Sequence, residues 1–191
     1  MTFRIYHHWD ELTPTAARDV ERILTEAFPP EERRSMDEVR RVLCGELLEM
    51  LTLEEGGNIL GLLQVWNLEE MVFLEHFAID KDRRGRGLGT KLLHYVWEYW
   101  GKPVILEVEP PEGETQRKRI AFYERNGFCL SDYPYLMPNL QGSGPALPLL
   151  LMSKPHSLTW SQARHCALRL YETAYREKER PEIPGQTPEK S

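Results

Sequence analysis

The stretch that most restricts this chain is Phe77-Ala78-Ile79-Asp80-Lys81-Asp82-Arg83-Arg84-Gly85-Arg86-Gly87-Leu88-Gly89-Thr90. It reads as the end of a strand, a basic glycine-rich turn and the opening of a helix. Upstream, Phe73, Glu75, Phe77 and Ile79 alternate with Leu74, His76 and Ala78, which predicts a strand over 70–79. Downstream, Leu88, Leu92 and Val96 recur four apart beside Leu93, Trp97 and Trp100, which predicts a helix over 90–100. A helix opening leaves its first N–H groups without intrahelical acceptors. Those groups and the helix dipole favour an anion. Glycines let a phosphate approach the backbone, because no Cβ intervenes. The stretch therefore predicts a phosphate or pyrophosphate cradle; the competing reading is a glycine turn carrying solvated arginines.

The cradle is not a P-loop, since no Gly-Lys-Ser/Thr follows at the required spacing. It is not a dinucleotide fingerprint, because Gly85, Gly87 and Gly89 fall at every second position. What stands here is Arg84-x-x-Gly87-x-Gly89. Strands are predicted over 2–8, 47–53, 59–66 and 104–108, the second and third joined as a hairpin by Glu54-Glu55-Gly56-Gly57-Asn58. Thr13-Pro14 predicts the start of a first helix. Ser35 and Glu38 have the spacing of a capping box for a second, ending near Gly45. A helix over 116–126 stops at Asn126-Gly127. A strand begins at Phe128, 133–148 reads as a Pro- and Gly-rich loop, and 146–152 as a returning strand. Ser157 is the expected cap of a last helix.

The length, 191 residues, suits one domain with a modest extension. The formal charge of -6 weighs against nonspecific nucleic-acid or membrane binding. Cys44, Cys129 and Cys166 are scattered, with no C-x-x-C, which fits a reducing compartment and argues against structural zinc. His7, His8 and His94 lack partners at metal-ligand spacing, so no metal is expected. No signal-peptide pattern opens the chain and no apolar run is long enough to span a membrane, so a cytoplasmic location is expected.

The glycine turn resembles the Arg/Gln-x-x-Gly-x-Gly/Ala signature of the GNAT superfamily of acetyl-CoA-dependent N-acetyltransferases. Downstream, Ile120-Ala121-Phe122-Tyr123-Glu124-Arg125-Asn126-Gly127-Phe128 is similar to that family's F-Y-x-x-x-G-F segment. The two motifs are separated by one helix and one strand, as the family's order requires. The resemblance implies an α/β (α+β) fold: a mixed, mostly antiparallel central sheet with a splayed pair of strands and helices on both faces. It assigns residues 1–155 to the acetyltransferase domain, 156–179 to a C-terminal helical extension and 180–191 to a tail.

The same resemblance implies acetyl-CoA as co-substrate. The backbone of Phe77, Ala78 and Ile79 would bond the pantetheine arm. The N–H groups of Arg84, Gly85, Arg86, Gly87, Leu88, Gly89 and Thr90 would hold the pyrophosphate. Gln116 stands where the family commonly has Asn, seven residues before Tyr123, and an amide contact to the cofactor is expected from it. Tyr123 matches the family's proposed general acid for the departing thiolate.

The acceptor is expected to be a primary amine of a small molecule or protein, attacking directly in a ternary complex. An alkyl amine of pKa about 10.4 is almost wholly protonated at pH 7, so a base is useful. The candidates are Glu75, then Glu109, with Glu107 beside it; the competing role for each is a salt bridge or binding of a cationic substrate. His76, on the opposite strand face from Glu75, reads as a packed histidine. Phe28-Pro29-Pro30-Glu31-Glu32-Arg33-Arg34 reads either as a border of the acceptor pocket or as a solvated turn. The alternative to an enzyme is a CoA-binding regulatory module without catalysis. Oligomeric state is open, with a homodimer among the options.

Overall fold

The computed structural model of the chain describes residues 1–44, 47–140 and 145–176. The expected helix end at Gly45 and the tail from 180 lie outside them. The fold divides into two compact units, Met1–Leu106 and Glu107–Ser191.

In the first unit, β1 (Thr2–Tyr6), β2 (Leu48–Glu55), β3 (Asn58–Asn67) and β4 (Val72–Ile79) pair antiparallel in sequence order. The first three residues of β5 (Val104–Val108) then pair with β4 in parallel. Helices α1 (Pro14–Ala27), α2 (Met36–Val42) and α3 (Leu88–Trp100) complete the unit. Both α1 and α3 pack on β3 and β4. Every residue from Ile59 to Trp66 is buried, so β3 is covered on both faces, as its unbroken apolar run requires. The caps match the sequence. Thr13 accepts from the Ala16 N–H with Pro14 following, and Ser35 and Glu38 form a reciprocal capping box. The third helix starts two residues before the expected Thr90, because Gly87 at φ 71° is its N-cap.

Two backbone features of β4 position the site. Gln64 pairs with His76 but Val65 pairs with Leu74, so Glu75 is the extra residue of a β-bulge. The ladder between β4 and β5 joins Val72–Leu74 to Val104–Leu106. Within this unit that ladder stops one residue before the bulge, and β4 continues to Ile79.

The second unit contains α4 (Glu114–Arg125), β6 (Cys129–Met137), β7 (Leu147–Lys154), α5 (Trp160–Leu170) and a π-helical turn over Tyr171–Tyr175. The expected loop from Tyr133 is instead strand as far as Met137. Tyr133, Tyr135 and Met137 alternate inward and are buried. The proline is absorbed by an irregularity between Leu130 and Pro134 in the pairing with β7. The last helix is capped by Thr159, not Ser157. Thr159 has Gln162 three residues on and closes a reciprocal box, whereas Ser157 has Trp160 there. None of the helices among the described residues is long and apolar enough to cross a membrane.

Candidate active site

The turn after β4 is built by Asp80. Its backbone N–H donates to the Leu60 carbonyl at 3.0 Å, and its carboxylate accepts from the Asp82 N–H at 2.9 Å. Arg22 of α1 reaches the same carboxylate at 2.5 Å. Burial would raise the Asp80 pKa, but Arg22 and the Asp82 N–H outweigh it and hold the carboxyl below its ordinary value. Beyond this anchor, Arg84, Gly85, Arg86 and Gly87 are all exposed. Gly85 and Gly87 take φ of 75° and 71°, the left-handed region that side chains with a Cβ resist. A Cβ at either position would meet no atom of the described residues within 4 Å, so the space in front of them is open. Arg84 turns back, donating from Nε to the Ile79 carbonyl at 3.2 Å. Leu88 is buried, Gly89 half-buried and Thr90 exposed in the first turn of α3. An open, left-handed glycine turn feeding a thirteen-residue helix fits a diphosphate on chemistry and space alike.

Glu75, ranked first among the bases, is not solvent-facing. Its side chain is 2% exposed although the residue as a whole is half-buried, so the exposed part is main chain, as a bulge allows. Arg34 Nη2 lies 2.8 Å from one carboxylate oxygen and Arg34 Nε donates to the same oxygen at 3.0 Å. Trp66 Nε1 donates to the other at 2.9 Å, and the Arg34 guanidinium also lies over the Trp66 ring. Desolvation alone would raise the Glu75 pKa; the Arg34 charge, with the hydrogen bonds from Arg34 and Trp66, reverses this and keeps it below the carboxylate range.

His76 is packed and buried, with Nε2 2.9 Å from the Glu32 carbonyl, Nδ1 2.6 Å from Gln64 Oε1, and the Phe28 ring edge-on. Burial lowers its pKa, with Glu75 opposing, so the ring is neutral. A neutral ring donates through Nε2–H to Glu32 and accepts at Nδ1 only from an N–H. The Gln64 amide supplies one when turned by half a rotation. The segment 28–34 is thus no solvated turn: β4 holds it at Phe28, Glu32 and Arg34. Phe77 and Ile79 share the half-buried face of β4 with Glu75, while Ala78 is buried with His76.

In the second unit, Tyr123 is buried on α4, edge-on to Phe122 and Phe128. Burial pushes its hydroxyl up to about 12, against a small opposing pull from Arg119. Glu109 accepts from Gln116 Nε2 at 3.1 Å and pairs with Arg119 at 2.6 Å on the surface. Glu107 accepts from the Tyr175 hydroxyl, whose oxygen lies 2.7 and 2.9 Å from the two carboxylate oxygens.

Residues 47–129 match the family model described as an acetyltransferase (GNAT) domain. Over those residues the chain is similar to GNAT acetyltransferases. YjbC of Bacillus subtilis (strain 168), a protein named as a candidate acetyltransferase, is 35% identical over 107 residues, 55% of this chain and 54% of that protein. The chain thus spans about half the length of the curated relative it matches. A solved structure from Bacteroides thetaiotaomicron, described as GNAT-family, superposes with TM-score 0.77 at 27% identity, over 92% of this chain and 98% of that one. The ribosomal-protein-S18-alanine N-acetyltransferase of Escherichia coli gives TM-score 0.58 at 22% identity, over 83% and 96%, a likeness of fold.

The GNAT match covers β2 through α4 and so includes the glycine turn and Tyr123. It also includes Trp66 and Gln64, which the sequence offered only as members of an apolar run. Arg34 lies before the matched region, in a segment that reads either as a border of the acceptor pocket or as a solvated turn. Tyr135 and Tyr175 lie after it, on stretches read as a loop and as the last helix. No local pattern marks these three, because each acquires its partner from a distant part of the chain.

Proposed function

We propose that this chain is an acetyl-CoA-dependent N-acetyltransferase that acts on a primary amine by direct attack in a ternary complex. The observation that carries the reading is the pair of exposed left-handed glycines, Gly85 and Gly87, between β4 and α3 within the residues that match the GNAT family. Acetyl-CoA supplies the acyl thioester. The N–H groups from Arg84 to Thr90 are proposed to bind its diphosphate, with Arg84 and Arg86 adding charge. The main chain of Phe77, Ala78 and Ile79, beyond the end of the β4–β5 ladder, is proposed to bond the pantetheine arm. Gln116 is proposed as an amide contact.

Tyr123 is proposed to donate a hydrogen bond to the departing sulfur. A phenol of pKa about 12 does not readily give its proton outright to a thiolate whose acid has pKa about 8.5. Its assistance is therefore a hydrogen bond more than a completed transfer. Among the bases we place Glu109 ahead of Glu75. Both meet arginines, but the Glu109–Arg119 pair is surface-exposed and exchangeable, whereas the Glu75–Arg34 pair is buried and fixed. Glu75 is then a positioning residue that holds the segment 28–34 against the bulge.

The engagement of Glu75 and Glu109 by arginines also suits the second reading, a CoA-binding module without catalysis. Calorimetric titration with acetyl-CoA, with NADH and ATP as controls, tests what both readings share. Saturable micromolar binding of acetyl-CoA alone is expected; a folded protein that binds none refutes both. Release of free CoA thiol across an amine panel separates them.

A further inference from the structure

The turn that leaves β4 is gripped from one side by α1. Arg22 lies 2.5 Å from Asp80, 3.3 Å from Asp19 and 3.5 Å from Glu26. Through its other carboxylate oxygen, Asp19 accepts the Ile59 N–H at 3.0 Å. Ile59 pairs with Glu54 and Gly61 with Leu53, so Leu60 between them is the extra residue of a bulge in β3. The carbonyl of that bulge residue is the one that takes the Asp80 N–H. A second bridge joins Glu26 to Lys81 at 3.0 Å. One guanidinium thus ties together α1, the start of β3 and the first residue of the glycine turn, all within the first unit.

The two oxygens of Asp80 divide the work. Oδ1 accepts the Asp82 N–H and shapes the turn, while Oδ2 meets Arg22. Holding Oδ2 fixes the rotation of the carboxylate and so keeps Oδ1 on its N–H. Beyond this point Arg84 to Gly87 are exposed, and their N–H groups have the direction that the anchored end of the turn gives them. Donors already aimed bind an anion without a further ordering cost. As stability alone, an ion pair whose arginine is 38% exposed contributes modestly. Asp19 and Arg22 also lie before residues 47–129, so the family match assigns them nothing.

We propose that Arg22 is a positioning residue for the acyl donor: acting through Asp80, it holds the glycine turn in the form that selects donors carrying a diphosphate. This rests on the diphosphate reading of the turn. Two consequences separate it from a plain structural role. Loss of Arg22 weakens the donor through its diphosphate and not through its pantetheine arm, and it acts on donor affinity and not on the chemical step.

The test compares the parent with Arg22→Gln, Arg22→Lys and, at an exposed position of the same helix, Arg18→Gln. The donors are acetyl-CoA and S-acetylpantetheine, which carries the same thioester and arm but no diphosphate. Calorimetry gives the affinity for each, and release of free thiol with the best amine of the panel gives kcat and KM. Arg22→Gln is expected to weaken acetyl-CoA about tenfold in Kd and KM, the lower end of what a charge-assisted hydrogen bond is worth, with kcat and the affinity for S-acetylpantetheine within about twofold of the parent. Arg22→Lys keeps the charge without the planar fork and should recover part of the loss. Arg18→Gln should match the parent. Equal losses for both donors in Arg22→Gln mean that the fold suffers, and overturn the proposal; so does an unchanged affinity for acetyl-CoA. A parent that binds acetyl-CoA no better than S-acetylpantetheine overturns the diphosphate reading and the proposal with it. Acetyl-CoA binding that depends on Arg22, without transfer to any amine, supports the proposal and overturns the transferase reading instead.

Discussion

Consider replacing Arg34 by Met and Glu75 by Gln, singly and together. The closest approach of the two charges is 2.8 Å, with side chains 8% and 2% exposed. At an effective dielectric of about 20, their attraction is roughly 6 kcal/mol. Removing two ions from water costs several kcal/mol each, so the intact pair adds little net stability. Losing one partner is different: it strands a buried charge and costs about 3–5 kcal/mol. For a chain of this size that is a fall of about 6–20 °C in melting temperature. The double variant strands no charge, only amide N–H groups, and should lie within about 2 kcal/mol of the parent. Urea unfolding followed by circular dichroism and tryptophan fluorescence measures all four corners of the cycle. The pH dependence has a definite sign. The folded Glu75 pKa is depressed, so its contribution is present above the unfolded value of 4.5 and is lost as pH falls through the folded one. Single variants that cost less than about 1 kcal/mol, or a double variant as damaged as the sum of the singles, would refute the reasoning.

Tyr123→Phe should lower kcat by about 10- to 100-fold, the worth of a hydrogen bond to a developing thiolate, while acetyl-CoA affinity stays within about twofold; an unchanged kcat removes the role, and a loss beyond a thousandfold means the proton is transferred after all. Gly87→Ala should cost the fold only about 1–2 kcal/mol, since φ is 71° but no atom of the described residues lies within 4 Å. The same change should weaken acetyl-CoA binding more than tenfold by placing a methyl group in the cradle, and equal affinity by calorimetry would show that the diphosphate lies elsewhere. Asp80→Asn, which removes the charge that Arg22 grips, should raise the KM for acetyl-CoA with kcat little changed. Because the folded Asp80 pKa lies below 3.8, its stabilisation holds above that pH and fades below it, which acid unfolding of parent and variant compares directly.

The strands and helices whose signals are local are legible in the order of the residues alone. Thr13-Pro14 and the Ser35–Glu38 box mark helix starts because a cap bonds groups two or three residues away. The glycine turn is legible for the same reason: its left-handed geometry and the helix that follows are fixed within a few residues. The strand through Tyr133 and Tyr135 reads locally as a loop because of Pro134, while burial of the alternating aromatic residues outweighs that signal. Tertiary structure alone decides which partner each carboxylate meets. Glu75, Glu107 and Glu109 are alike as letters, and pairing with Arg34, Tyr175 and Arg119 makes them three different groups. Arg34 lies 41 positions from Glu75, and Tyr175 lies 68 from Glu107. A hydrogen bond or ion pair forms only when its partners lie within a few ångströms. Distances that short, between residues that far apart in sequence, exist only after the chain has folded.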